Sequence, residues 1–221
     1  MRRTAALVAL LIAVLAPTSA GAQQHYYYLN PGQLDLSLLL PPPPDVASAQ
    51  SQADEAEVAA VLAARTHTQV FQAQEESVRT VFFYAPAIGQ EFTAARLPVT
   101  AHFFARVGSD VKNLIDGAKA YWNRPRPGAT QSKRGSYPSG HAAFAAASAI
   151  LLAQLVPAKR DAVFTQARTF AEDRIILGRH YPSDIASGWT AGTLAAYVMM
   201  QDQGFNHDFA QAQAELRRAG F

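Results

Sequence analysis

The chain has 221 residues, with 19 basic and 17 acidic side chains and no cysteine. This length suits one domain with a sizeable hydrophobic core. The nearly balanced charge argues against a basic surface that binds nucleic acid as a specific partner. Without cysteine, disulfide bonds and thiolate metal sites are excluded, so stability must come from packing.

The N-terminus has the pattern of a signal peptide. Two arginines precede an apolar run from Ala5 to Leu15, which is too short to span a bilayer comfortably. Ala20-Gly21-Ala22 matches an A-x-A cleavage site. We therefore predict a signal peptide at residues 1–22 and a periplasmic or secreted protein, with an uncleaved membrane anchor as the alternative. The chain after this segment contains 17 basic and 17 acidic residues.

Residues 23–50 are predicted to form an extended arm rich in proline, tyrosine and leucine. The proline run Pro41–Pro44 precludes regular helix and favours a polyproline-like backbone. The tyrosines and leucines are too apolar for a typical disordered linker, which is the alternative interpretation. The arm could dock on the body of the protein or on another subunit, which would produce a homo-oligomer.

Residues 51–221 show helical periodicity, most clearly in an apolar stripe from Val99 to Ala118 that leads to Lys119. We find no strand alternation and no internal repeat. The prediction is an all-α fold, a single bundle of about six to eight helices. The predicted helices begin near Ala53 and continue near 72–84, 99–118, 142–155, 161–177, 185–200 and 208–218. The apolar stretches among them are shorter than a membrane span needs, so no stable membrane insertion is expected.

Three separated motifs carry the candidate chemistry. The first contains Lys119, Arg124 and Arg126-Pro127, the second is Pro138-Ser139-Gly140-His141, and the third contains Arg174, His180 and Asp184. Each has a plain structural interpretation when taken alone: a basic surface patch, a helix N-cap, and a surface His–Asp hydrogen bond. Together they supply cations, helix-start amides and two imidazoles, a set that suits a phosphate monoester.

In this order, the motifs resemble those of the type 2 phosphatidic acid phosphatase superfamily, K-x6-R-P, P-S-G-H and S-R-x5-H-x3-D. Within that superfamily the chain is most similar to the exported class A bacterial nonspecific acid phosphatases. The signal peptide, the arm, the segment Gly135–His141 and the C-terminal sequence FAQAQAEL all fit that class.

The resemblance implies a role for each matching residue. His180 would be the nucleophile that forms a phosphohistidine, Asp184 would orient it, and His141 would protonate the leaving group and then activate water. The phosphoryl oxygens would be held by Lys119, Arg126, Ser139, Gly140 and Arg174. The resemblance implies no metal and no cofactor. Arg124 lies outside the shared pattern and is left as a residue that either supports the site or contacts substrate.

The third motif reads His-Tyr-Pro-Ser-Asp, a wording also common in membrane lipid phosphatases and vanadium haloperoxidases, and two further features depart from the family pattern. Asp173 stands where the family has serine before the motif arginine, and only ten residues separate Pro127 from Pro138, which could open the cleft. We expect Asp173 to be tolerated, either facing away from the phosphate or pairing with Lys119 or Arg174.

The sequence therefore predicts an exported, metal-independent acid phosphatase that acts on soluble phosphate monoesters. Three alternatives remain open at this point. They are a phosphatase selective for lipid phosphate or isoprenoid diphosphate, a vanadate-dependent haloperoxidase, and a non-enzymatic phosphate-binding protein.

Overall fold

The computed structural model describes residues 25–30, 32–129 and 134–221. Within these ranges the chain forms nine α-helices and no β-strand, so the predicted all-α fold is confirmed. The predicted signal peptide, residues 1–22, lies outside the described residues. The helices are α1 (Leu36–Leu39), α2 (Ala49–Ala64), α3 (His67–Glu75), α4 (Ala85–Ile88), α5 (Pro98–Trp122), α6 (Gly140–Leu155), α7 (Arg160–Ile176), α8 (Pro182–Met199) and α9 (Gln203–Arg218).

Helix α6 is the centre of the bundle. It is apolar on all sides, and nearly every residue from Gly140 to Leu155 is buried, as expected for a helix without a solvent-facing stripe. Helices α5, α7 and α8 pack around it, and α9 packs mainly on α5. The first turn of α6, which carries the second motif, therefore lies at one end of the core.

Two glycines let α8 approach α6 closely. A Cβ atom at Gly188 would overlap the carbonyl oxygen of Ser139, and one at Gly192 would overlap that of Ala143. The same four-residue step on both helices shows that they run parallel and in register. The close contact brings the start of α8, with the third motif, against the start of α6.

Replacing Gly192 with alanine is expected to destabilise the fold, because a backbone carbonyl cannot move aside as a side chain can. We expect a loss of about 1–3 kcal/mol in the free energy of unfolding. Gly117, inside α5, has no atom within 4 Å of the position of an added Cβ. Gly117→Ala is therefore the matched control, with an expected gain of up to ~1 kcal/mol. Urea unfolding of both variants measures the difference, and equal effects would show that the glycine contact is unimportant.

The helix predicted near 72–84 is wrong in its position. Helix α3 begins earlier, because Thr66 and Gln69 form a reciprocal capping box, and it ends at Glu75. Residues 76–80 then connect α3 to a short 3-10 turn, Val81–Tyr84. This connecting segment reaches the candidate site described below.

The arm packs on the body of the protein through a buried carboxylate. Asp110 of α5 accepts backbone N–H groups from Tyr27, Tyr28 and Leu29 at 2.8, 2.7 and 3.0 Å. Asp110 is fully buried, and so its oxygens require such donors. Not every apolar residue of the arm is covered, since Leu38 is 82% exposed.

Candidate active site

The residues predicted for the site lie at the ends of four helices. They are Lys119, Arg126, Ser139, Gly140, His141, Arg174, His180 and Asp184. Lys119 and Arg174 occupy the last turns of α5 and α7. The second motif lies at the start of α6, and His180 and Asp184 of the third motif lie at the start of α8. The backbone N–H of Ser139 donates to the carbonyl oxygen of Asp184 at 2.9 Å, which ties the second motif to the third.

His180 and Asp184 form a buried pair. His180 Nδ1 lies 3.3 Å from Asp184 Oδ2, which also accepts the backbone N–H of Tyr181 at 2.9 Å. Because a carboxylate only accepts, Nδ1 carries the proton and Nε2 keeps its lone pair. Nε2 lies 3.4 Å from Nη1 of Arg126, so the free nitrogen faces a cation of the first motif.

The surroundings keep the His180 ring neutral. Burial lowers its pKa to about 4, and the charges of Lys119 and Arg126 act in the same direction against the opposing effect of Asp184. For Asp184, burial would raise the pKa, but the hydrogen bond with His180 and the charge of Arg124 outweigh it, and the pKa is lowered. The pair is therefore a neutral imidazole held by an ionised carboxylate.

Backbone carbonyls position two cations of the first motif. Lys119 Nζ donates to the carbonyl oxygens of Gly135 and Ser136 at 2.8 and 2.7 Å, and Arg126 Nη1 donates to that of Arg179 at 2.7 Å. Burial and the nearby charge of Arg126 lower the pKa of Lys119 to about 7. An arriving phosphate dianion would stabilise the charged ammonium.

Arg174 provides a buried donor without an acceptor. Its Nε has no hydrogen-bond partner among the described residues. Burial, with the charges of Arg179 and Arg126, lowers its pKa to about 10. An unpaired buried guanidinium nitrogen is costly, and an anionic oxygen is the ligand that satisfies it. The described residues contain no group of three His, Cys, Asp or Glu side chains arranged to hold a metal ion.

His141 is oriented by a residue that the sequence motifs do not include. Its Nε2 lies 2.9 Å from the carbonyl oxygen of Ser77, in the segment that follows α3. Since a carbonyl only accepts, Nε2 carries the hydrogen and Nδ1 is the nitrogen that can exchange a proton. Burial and the charges of Arg174 and Arg79 hold the pKa of His141 far below its usual range.

Arg124 supports the His180–Asp184 pair. It donates to Asp184 Oδ1 at 2.7 Å and to Asp54 Oδ2 at 2.9 Å, and all three side chains are buried. Ser183 Oγ also donates to Asp54 and accepts from Arg124. Asp54 lies on α2, far from the motifs in sequence, and no local pattern distinguishes it from the other acidic residues of that helix.

Asp173 forms no salt bridge or hydrogen bond with Lys119 or Arg174 in the described part of the chain. It is buried, and burial together with the charge of Glu76 raises its pKa to about 6. Of the two expected arrangements, this geometry favours the one in which Asp173 points away from the phosphate-binding cations.

The low pKa of His180 gives a testable pH dependence. We expect the ring to titrate near 4 rather than at the ordinary 6.5, because burial opposes the charged form. A base with a depressed pKa binds fewer protons in the folded state, so this residue stabilises the fold above pH 6.5 and loses that contribution as the pH falls towards 4. NMR titration of the ring, assigned with a His180→Ala variant, measures the midpoint. A midpoint at or above 6.5 would show that Asp184 outweighs burial.

Comparison with known proteins relates the part of the chain that carries the motifs to a known family. The model of the PAP2 superfamily matches residues 107–208, which include all three motifs. Over these residues the chain is similar to the PAP2 superfamily. The resemblance predicted from the motifs is thereby confirmed.

Several relatives of the chain are named acid phosphatases. An acid phosphatase of Zymomonas mobilis is 30% identical over 149 residues, which are 62% of this chain and 56% of the relative. Non-specific acid phosphatases of Providencia stuartii and Salmonella typhi are 26% and 25% identical and cover 87% and 92% of this chain, which spans 85% and 88% of their lengths. The chain thus spans little more than half of the first relative but most of the other two. These names agree with the enzyme class predicted from the sequence.

The PAP2 fold is also seen in a solved structure. A transmembrane PAP2-type phosphatidylglycerolphosphate phosphatase from Bacillus subtilis superposes with a TM-score of 0.51 at 19% identity, covering 71% of this chain and 87% of that protein. At this identity the likeness concerns the fold alone. Among the described residues of the present chain, no helix combines the length and apolar character that crossing a membrane requires.

Proposed function

We propose that the protein is an exported, metal-independent acid phosphatase that hydrolyses soluble phosphate monoesters through a phosphohistidine at His180. The observation that carries the proposal is the buried His180–Asp184 pair, whose free Nε2 faces Arg126. A neutral, oriented imidazole beside fixed cations is what attack on a phosphoryl group needs.

In the first step, His180 Nε2 attacks phosphorus and the bond from phosphorus to the ester oxygen breaks. The proton on Nδ1 of the charged His141 ring passes to the departing oxygen, so the alcohol leaves neutral. Lys119, Arg126 and Arg174 neutralise the equatorial oxygens, together with the amides at the start of α6. The Asp184 carboxylate stabilises the positive charge that develops on the His180 ring.

In the second step, a water oxygen attacks the phosphorus of the phosphohistidine. His141 Nδ1, now neutral, takes a proton from that water, and the bond from phosphorus to Nε2 breaks. Inorganic phosphate leaves, and both histidines return to their starting protonation states. The Ser77 carbonyl keeps the same nitrogen of His141 directed at the reaction in both steps.

The pKa values support activity in acid. Because burial lowers the pKa of His180 to about 4, the nucleophile stays neutral at pH values where an ordinary histidine is protonated. Substrate binding supplies the negative charge that His141 needs to become protonated, because a phosphate dianion offsets the charges of Arg174 and Arg79.

Export is supported by the N-terminal sequence pattern.

A substrate panel tests the proposal. The purified protein should hydrolyse p-nitrophenyl phosphate and simple alkyl phosphates in the presence of EDTA, and orthovanadate should inhibit it. Complete loss with EDTA that Mg²⁺ or Zn²⁺ restores would contradict metal independence. Turnover confined to a lipid phosphate, or bromide oxidation with vanadate and peroxide, would favour one of the alternative activities instead.

A further inference from the structure

One further cation, outside the three motifs, reaches the candidate site. Arg79 lies in the segment between α3 and the Val81–Tyr84 turn, and its Nη1 is 3.4 Å from where a Cβ atom of Gly140 would lie. Its guanidinium therefore covers the first turn of α6. Burial and the charge of Arg126 are the main causes of the low pKa of Lys119, and Arg79 adds to them.

Arg79 differs from Lys119, Arg124 and Arg126 in having no protein acceptor in the described ranges, a property that it shares with Nε of Arg174. Lys119 and Arg126 donate to backbone carbonyls, and Arg124 donates to two carboxylates. The guanidinium of Arg79 makes no hydrogen bond or salt bridge with any residue in the described ranges, and the side chain is solvent-exposed. It is a planar donor directed at the mouth of an anion-binding site.

The position of Arg79 places it on the leaving-group side. The carbonyl of Ser77, two residues earlier, binds His141, which is the proposed acid for the leaving oxygen. The attacking and leaving atoms are roughly in line through phosphorus, so the acid lies opposite His180. Arg79 follows the Ser77 contact and lies beside the same turn, and so its charge would lie near the leaving oxygen of a bound substrate.

We propose that Arg79 is a specificity-determining residue that binds a second anionic group, a carboxylate or phosphoryl group, close to the ester oxygen of the substrate. The inference rests on the proposed function, which defines the leaving-group side. The equatorial phosphoryl oxygens are already served by three cations and the α6 amides. The guanidinium matches carboxylate and phosphate oxygens in a two-bond geometry. Phosphate esters of hydroxy acids and bisphosphates are the substrates that present such a group.

Two esters of similar size separate this role from general phosphate binding. They are 2-phosphoglycolate, which has a carboxylate beside the ester, and 2-hydroxyethyl phosphate, which has a neutral hydroxyl there. We expect Arg79→Gln to lower kcat/KM for 2-phosphoglycolate tenfold or more, about 1.4 kcal/mol, and for 2-hydroxyethyl phosphate less than threefold. Arg79→Lys should keep part of the preference. Arg218→Gln, at an exposed position on α9, is the matched control and should leave kcat/KM for both esters unchanged.

Calorimetry can measure the affinity for the same two esters without turnover, in the His180→Ala variant and in the His180→Ala/Arg79→Gln double variant. The ratio of the two affinities then reports the preference for 2-phosphoglycolate. Equal losses for both esters, or no loss for 2-phosphoglycolate, would overturn the assignment of Arg79. If the wild-type protein hydrolyses neither these esters nor p-nitrophenyl phosphate, the proposed function fails, while the ratio of the two binding affinities still decides the role of Arg79.

Discussion

His180→Ala should abolish phosphatase activity. The variant removes the nitrogen that is proposed to bond to phosphorus, and no other neutral imidazole lies beside Arg126 in the described site. We expect kcat for p-nitrophenyl phosphate to fall more than a hundredfold, which is over ~2.7 kcal/mol of transition-state stabilisation. His207→Ala, at an exposed position on α9, is the matched control and should be fully active.

The leaving group of p-nitrophenyl phosphate makes this a strict test. A phenolate departs without much protonation, so a defect in the general acid would have a small effect on this substrate. A variant that keeps more than about a hundredth of wild-type kcat would exclude His180 as the nucleophile. Near-UV circular dichroism of the variant would establish that the fold is intact.

Arg124→Met should cause the largest loss of stability. The change leaves Asp54 and Asp184, both fully buried, without the guanidinium that donates to them at 2.9 and 2.7 Å. Removing one partner from a buried ion pair costs about 3–5 kcal/mol, because the remaining charge is uncompensated. The free energy of unfolding in urea at neutral pH measures this loss, and Arg218→Met on the surface is the control.

A second variant identifies the cause of that loss. Asp54→Asn, combined with Arg124→Met, removes one of the two uncompensated charges and should recover part of the stability. A loss below about 1 kcal/mol for Arg124→Met would mean that the pair is effectively solvated. A loss that Asp54→Asn does not reduce would point to packing of the Arg124 side chain over the Tyr181 ring, 4.2 Å away, as the cause.

The sequence predicts which residues form the candidate site better than it predicts the architecture around them. The motif residues could be identified because they match a family pattern that fixes both the residue types and their local spacing, as in the four-residue step from His180 to Asp184. The all-α class follows from helical periodicity, and the residues of α6 show no polar face. Motif spacing and helical periodicity are local properties, so each can be recognised within one segment of the sequence.

Contacts between distant segments could not be predicted in this way. Gly188 and Gly192 interrupt an apolar stretch, but the carbonyls that require them belong to α6. Asp54 is one acidic residue among several on α2, and only the fold brings it to Arg124. Ser77 acts through its backbone carbonyl, a group that every residue has. The segment that carries it was also expected to be helical, which would have kept that carbonyl in the helix.

The central claim is a covalent bond between phosphorus and His180. Rapid mixing with substrate at acidic pH, a quench in strong base, in which a phosphohistidine survives, and peptide mass spectrometry test it directly. We expect a phosphoryl group on the peptide that contains His180, formed within one turnover and absent in His180→Ala. Full single-turnover hydrolysis with no labelled peptide, or a label on His141 instead, would contradict it.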